Sequence, residues 1–109
     1  MLYVLNTLVI PADYRSGERV VRIRQISVEE AKAALRSRFV SAVGHEGTAS
    51  ALSKLLGIQI PYNRISVWMR PGDAAIHYYL KDRLPVGADL TEEQVKKLPY
   101  DLVFSQVIQ

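Results

Sequence analysis

A chain of 109 residues, 49% hydrophobic and 23% charged, has the size and balance of one globular domain with a modest core. The absence of cysteine excludes a disulfide framework, a thiolate nucleophile and a cysteine-ligated zinc, and no apolar run reaches the ~20 residues of a membrane span. A net charge of +3 tolerates an anionic ligand but is too small to announce duplex DNA binding. The first residues, Met1-Leu2-Tyr3-Val4-Leu5-Asn6, lack the basic start of a signal peptide and read as a strand, and the lack of cysteine makes cytoplasmic residence the default expectation.

In chain order, Leu2 to Ile10 reads as a buried strand ending at Pro11, interrupted by the hydrogen-bonding pair Asn6-Thr7. A polar loop, Asp13 to Glu18, leads to Arg19–Ile26, where Val21 and Ile23 oppose Arg22 and Arg24 as in a half-solvated strand. Ser27-Val28-Glu29-Glu30 forms a capping box, and Val28, Ala31 and Leu35 then recur at helical spacing. Phe39 to Val43 is a short β-prone run. Beyond it Thr48 is the expected N-cap of a second helix whose stripe is Ala51, Leu52, Leu55 and Leu56, closed by Gly57.

Arg64 to Arg70 alternates Ile65, Val67 and Met69 against Ser66, Trp68 and Arg70, which predicts a strand. Pro71-Gly72 supplies a type II turn, and Ala74 to Lys81 returns to complete a hairpin. On the returning strand Ile76, Tyr78 and Leu80 share one face, with His77 expected to be an exposed residue on the other beside Tyr79. A loop from Asp82 to Leu90 precedes a second capping box, Thr91-Glu92-Glu93-Gln94, for a short helix to about Leu98, and Asp101–Ile108 forms a last strand. The expectation is an α/β fold over residues 1–109: a single mixed β-sheet of about five strands with helices packed mainly on one face. The uncovered face calls for polar side chains or an oligomeric partner.

The chain has no Walker loop, no dinucleotide fingerprint, no nucleophile elbow and no metal-ligand spacing around His45 or His77. What remains is Ser41-Ala42-Val43-Gly44-His45-Glu46-Gly47-Thr48, where an apolar run ends, glycines flank His45 and a helix opens. Amides at a helix start can hold an anion, although a histidine at such a turn more often has no catalytic role. With Arg64 and Arg83 from other segments, this set suits a metal-free phosphodiester cleavage in which the substrate's own 2′-hydroxyl attacks. That reaction needs positioning, charge neutralisation and a proton for the leaving 5′-oxygen.

Asn6, Ser41-Ala42-Val43-Gly44-His45 with Thr48, Pro61-Tyr62-Asn63-Arg64-Ile65 and Arg83-Leu84-Pro85 together resemble the viral ring nuclease family, type III anti-CRISPR proteins with host-encoded relatives. The resemblance runs over nearly the whole chain in order. It implies a homodimer that binds cyclic tetra-adenylate across its two-fold interface and cuts it, without metal or other cofactor, to linear di-adenylate with a 2′,3′-cyclic phosphate. By the same resemblance His45 is the general acid, Arg64 and Arg83 bind ligand, and Asn6 falls at a pocket position. Thr7, Gly44, Gly47 and Thr48 complete the expected binding set, and Leu84, Pro85, Val86 and Gly87 belong to a lid that closes over the ligand. Relatives carry glutamate in that lid where this chain has Val86, with Asp82 and Asp89 nearby as substitutes. A binding-only sponge or sensor of the same messenger is therefore the alternative, and a small DNA-binding regulator a third reading. Neither a membrane nor duplex DNA is an expected partner, and the host cytoplasm is the expected location if a virus encodes the chain.

Overall fold

Local capping decides where two of the helices begin. The Ser27 hydroxyl accepts from the Glu30 amide at 3.1 Å while the Glu30 carboxylate accepts from the Ser27 amide at 3.2 Å. Thr91 and Gln94 make the same reciprocal pair at 3.2 and 2.8 Å. Each exchange satisfies two amides that a helix start otherwise leaves without partners. The computed structural model describes residues 1–84 and 90–109. Strands β1 (Leu2–Leu5), β2 (Val21–Gln25), β3 (Val40–Ser41), β4 (Ala74–Leu80) and β5 (Tyr100–Val107) alternate with helices α1 (Val28–Ala34), α2 (Glu46–Leu56) and α3 (Glu92–Lys96). Gly57 ends α2 in the left-handed conformation at φ 66°, as its place after the apolar stripe predicts.

The strands form one mixed sheet in the order β2-β5-β4-β1-β3. β1 runs parallel to both β3 and β4, whereas β5 is antiparallel to β2 and β4. The predicted α/β class with a single mixed sheet therefore holds. On one face Val4, Ile76, Tyr78 and Leu102 from the sheet pack with Ala31 of α1, Leu52 and Leu56 of α2 and Val95 of α3. Leu52 is fully buried there, so Leu52→Ala is expected to cost ~2–5 kcal/mol through lost burial and the cavity left behind.

The predicted hairpin is absent. β4 already spends one edge on β1 and the other on β5, and a strand has no third edge to offer the Arg64–Arg70 segment. That segment instead crosses the second sheet face, where among the described residues it pairs only through an isolated parallel bridge of Met69 with Ala12; a similar bridge, Val43 with Tyr62, lies just before it. Met69 is buried, and with Leu5, Ala42, Ala75 and Val107 it forms a second, smaller core. The alternation read as a strand thus covers the sheet from outside, and the chain supplies much of the cover expected from a partner. The Pro71-Gly72 turn itself holds: the Asp73 amide donates to the Arg70 carbonyl at 2.9 Å, and Gly72 has φ 95°.

Other boundaries shift for physical reasons. The first strand stops at Leu5 and not Ile10, because Asn6 and Thr7 turn their polar groups into tertiary hydrogen bonds. The Phe39–Val43 run shortens to Val40–Ser41, since only those residues find a ladder against Tyr3 and Val4. The Arg22 and Arg24 face of β2 is solvated as expected; Arg24 pairs with Glu30 at 2.8 Å and lies 5.4 Å from the Phe104 ring. Among the described residues no helix is long and apolar enough to cross a membrane.

Candidate functional site

Three parallel strands deliver their carboxyl ends to one rim, the edge where ligands of open α/β sheets bind. β1 ends into Asn6, β3 leads through Gly44 to His45, and β4 ends into Asp82 and Arg83. After β1 the chain visits β2 at the far edge of the sheet, returns by way of α1 to β3 beside β1, and then crosses over β1, by way of α2, to β4. A cavity of about 420 Å³ opens at this reversal, lined by Asn6, His45, Thr48, Tyr79, Leu80, Asp82, Arg83 and Leu84. A second cavity of about 400 Å³ adjoins it at Asn6 and is lined by Thr7, Gly44 and Arg64 among apolar residues that include Val9, Ile65 and Val67.

His45, and not Thr48, is the N-cap of α2. Its backbone is extended at φ −140°, and its Nδ1 accepts from the Thr48 amide at 3.1 Å. Thr48 was a reasonable expectation because its side chain prefers helix starts; here it occupies the third helical position and is buried. Its hydroxyl also lies 3.0 Å from His45 Nδ1. The amide can only donate, so Nδ1 of the neutral ring is the acceptor and the ring proton resides on Nε2.

The glycines beside His45 serve close approach and not unusual backbone angles, since neither Gly44 nor Gly47 has positive φ. A Cβ on Gly47 would lie 3.1 Å from His45 Cε1, and one on Gly44 would lie 3.3 Å from Arg64 Cγ. The two absent side chains let the imidazole and the Arg64 stem lie against the backbone.

The expected site residues fall into two groups. Asn6, His45, Thr48, Arg83 and Leu84 meet in the first cavity, while Thr7, Gly44 and Arg64 line the second, with Asn6 shared. Gly47 sits beneath the His45 ring. Leu84 is buried in the helix-side core beside the start of α2, which anchors the exposed Arg83 at the rim. Pro85, Val86, Gly87 and Asp89 lie outside the described residues. Asp82 does line the cavity, and Tyr79 and Leu80 join it unannounced; alternation along β4 marks their faces but not that the strand ends at this rim.

His77 overturns its expectation. It is fully buried, with Nδ1 donating to the Thr7 carbonyl at 2.8 Å and Nε2 accepting from the Ser105 hydroxyl at 2.7 Å. Burial holds its pKa below the ordinary 6.5, against a smaller opposing pull from the Thr7 carbonyl. The segment after β1 lays the Thr7 carbonyl against the ring and Ser105 of β5 meets its other nitrogen, whereas Tyr79 farther along the same face stays exposed; strand periodicity cannot reveal which segment covers a face.

Fold and rim together define a small α/β domain with a ligand-sized opening at the ends of its parallel strands. The chain belongs to the STIV B116-like family, whose model matches residues 2–102. It is 41% identical to uncharacterized protein ORF117 of Acidianus two-tailed virus over 113 aligned positions, covering 100% of this chain and 95% of that one. It is 34% identical to uncharacterized protein YddF of Bacillus subtilis, covering 88% and 87% of the two chains. Among solved structures it is similar to B116 of Sulfolobus turreted icosahedral virus, with a TM-score of 0.82 over 96% of this chain and 97% of that one. At 22% identity that last likeness is one of fold.

Proposed function

We propose that the protein is a metal-independent ring nuclease that cleaves cyclic tetra-adenylate and so silences type III CRISPR signalling. The observation that carries this reading is the first cavity, where a helix-capping histidine, an arginine, a carboxylate and an asparagine converge. The occurrence of relatives in viruses of Acidianus and Sulfolobus fits a role against host immunity. The cytoplasm of the infected or host cell is the corresponding location.

The chemistry follows from the residues. The 2′-oxygen attacks the adjacent phosphorus as the bond from phosphorus to the 5′-oxygen breaks, leaving a 2′,3′-cyclic phosphate and a 5′-hydroxyl. Arg83 neutralises the phosphate at the point of cleavage, and Arg64 holds a neighbouring phosphate in the adjoining cavity. Asp82 accepts the 2′-hydroxyl proton, and a protonated His45 gives its Nε2 proton to the departing oxygen. Thr48 serves both charge states of the ring: its amide donates to Nδ1 of neutral imidazole, and its hydroxyl, 3.0 Å away, accepts from Nδ1–H of the imidazolium.

A homodimer suits this substrate, because a two-fold axis presents each residue twice to a ring of like symmetry. The test is incubation of the protein with cyclic tri-, tetra- and hexa-adenylate in EDTA, with products identified by mass. Linear di-adenylate from the tetramer supports the reading. Tight binding without product over hours replaces it with the sponge, and no binding at all removes both.

A further inference from the structure

We propose that His77 is a positioning residue: from inside the sheet it fixes the Thr7 carbonyl, and through Asn6 it sets the backbone that carries His45. The polar connection can be followed atom by atom. The Ser105 hydroxyl on β5 donates to His77 Nε2 at 2.7 Å, and His77 Nδ1 on β4 donates to the Thr7 carbonyl at 2.8 Å. Asn6, one residue before Thr7, accepts through Oδ1 from the Gly44 amide at 3.3 Å. Gly44 directly precedes His45, the cap of α2. Asn6 lines both cavities and Thr7 lines the second, so the segment held by His77 separates the two halves of the rim.

The geometry gives His77 a task that an apolar residue cannot perform. The Thr7 carbonyl projects from a segment that has left the ladder, since β1 ends at Leu5, and it therefore has no strand partner to fix it. His77 and Ser105 are both fully buried, so the donor is shielded from competing water. Its ring is held from both sides. With Nδ1 donating and Nε2 accepting, the neutral tautomer is specified, and only that tautomer can reach Thr7 and Ser105 together.

Two substitutions separate positioning from filling space. The Asn side-chain amide places a donor near the site of Nδ1, whereas that of Gln reaches the site of Nε2. His77→Asn accordingly keeps the hydrogen bond to Thr7, and His77→Gln keeps only the contact with Ser105. Nuclear magnetic resonance of the ligand-free full chain reads the result at the Gly44 and Thr48 amides and the His45 ring. Displaced signals and faster amide exchange in His77→Gln, with recovery in His77→Asn, are expected. Equal displacement in both folded variants, or none in either, overturns the proposal. Should neither variant fold, the nitrogen spectrum of the wild-type histidines decides: a His77 ring protonated on Nε2 and not Nδ1 overturns it, and one protonated on Nδ1 supports it.

A second arm rests on the ring-nuclease reading. Affinity for cyclic tetra-adenylate should fall about five- to tenfold in His77→Gln and stay within about threefold of wild type in His77→Asn, the loss corresponding to one hydrogen bond. If wild-type protein fails to bind that ligand, the functional reading falls while the ligand-free spectra still judge His77.

Discussion

The rim around His45 and the sheet interior around His77 use the same side chain in opposite ways. At the rim, Nδ1 accepts from the Thr48 amide and Nε2 carries the proton of the neutral ring; in the interior, Nδ1 donates to Thr7 and Nε2 accepts from Ser105. His45 is exposed at a cavity, where Nδ1 anchors the ring and Nε2 has no hydrogen-bond partner among the described residues. Both nitrogens of His77 are committed within the protein, and its burial disfavours charge. Residue type thus says little about role. Which nitrogen the fold consumes says a great deal.

The largest expected effect separates anchoring from chemistry at His45. His45→Asn, which retains a capping side chain, should lower cleavage of cyclic tetra-adenylate ~10²–10⁴-fold while leaving binding and stability nearly intact. His45→Ala should lose cleavage equally and in addition ~1 kcal/mol of stability, read by thermal or denaturant unfolding. Wild-type cleavage by the asparagine variant would end the assignment of His45 as acid. Thr48→Val keeps the capping amide but removes the hydroxyl; single-turnover assays should show about a tenfold slower cut with unchanged affinity.

The contrast also appears in stability against pH. The folded pKa of His77 lies below its ordinary 6.5, so between those two values the unfolded chain binds the extra proton. Stability is then full above about 6.5, falls on acidification and levels off below the folded value, with a slope of at most ~1.4 kcal/mol per pH unit. Denaturant titrations of His77→Asn should lack this limb. A separate acid limb should persist there: hydrogen bonds from the Arg15 side chain hold Asp13 at about 2, so its stabilisation is lost as pH falls from 3.8 toward about 2. A single limb spanning both ranges in the variant would contradict the separation.

The smallest effect is at Gly47. Gly47→Ala improves helix propensity by up to ~1 kcal/mol but pushes on a ring only 3.1 Å from the new methyl. Because that ring borders an open cavity it can yield, so the melting temperature should hold or rise while cleavage drops several-fold. A large loss of stability would show that the His45 ring is locked in place.

Both capping boxes, the glycine stop after α2, the solvated arginines of β2 and the Pro71-Gly72 turn were legible because each depends on residues within a few positions of one another. The expectation of one mixed sheet with helices on one face followed from their order. The hairpin was misread because Val67 and Met69 alternate as strand residues do, and alternation records that a segment lies on an apolar surface without recording whether hydrogen bonds join it edge to edge.

At the site, the sequence by itself marked His45, Arg64 and Arg83, because a histidine at a helix start and arginines at a strand start and in a loop are locally conspicuous, and the family resemblance added Asn6 and Thr48. Tertiary structure alone decided that Arg83 shares the His45 cavity while Arg64 faces the adjoining one, and that Asn6 borders both. It also placed His77 in the interior. Strand order is set by long-range pairing, and it was the placement of β4 between β1 and β5 that excluded the hairpin and brought Asp82 and Arg83 beside the start of α2, while the Thr7 segment and Ser105 enclosed His77.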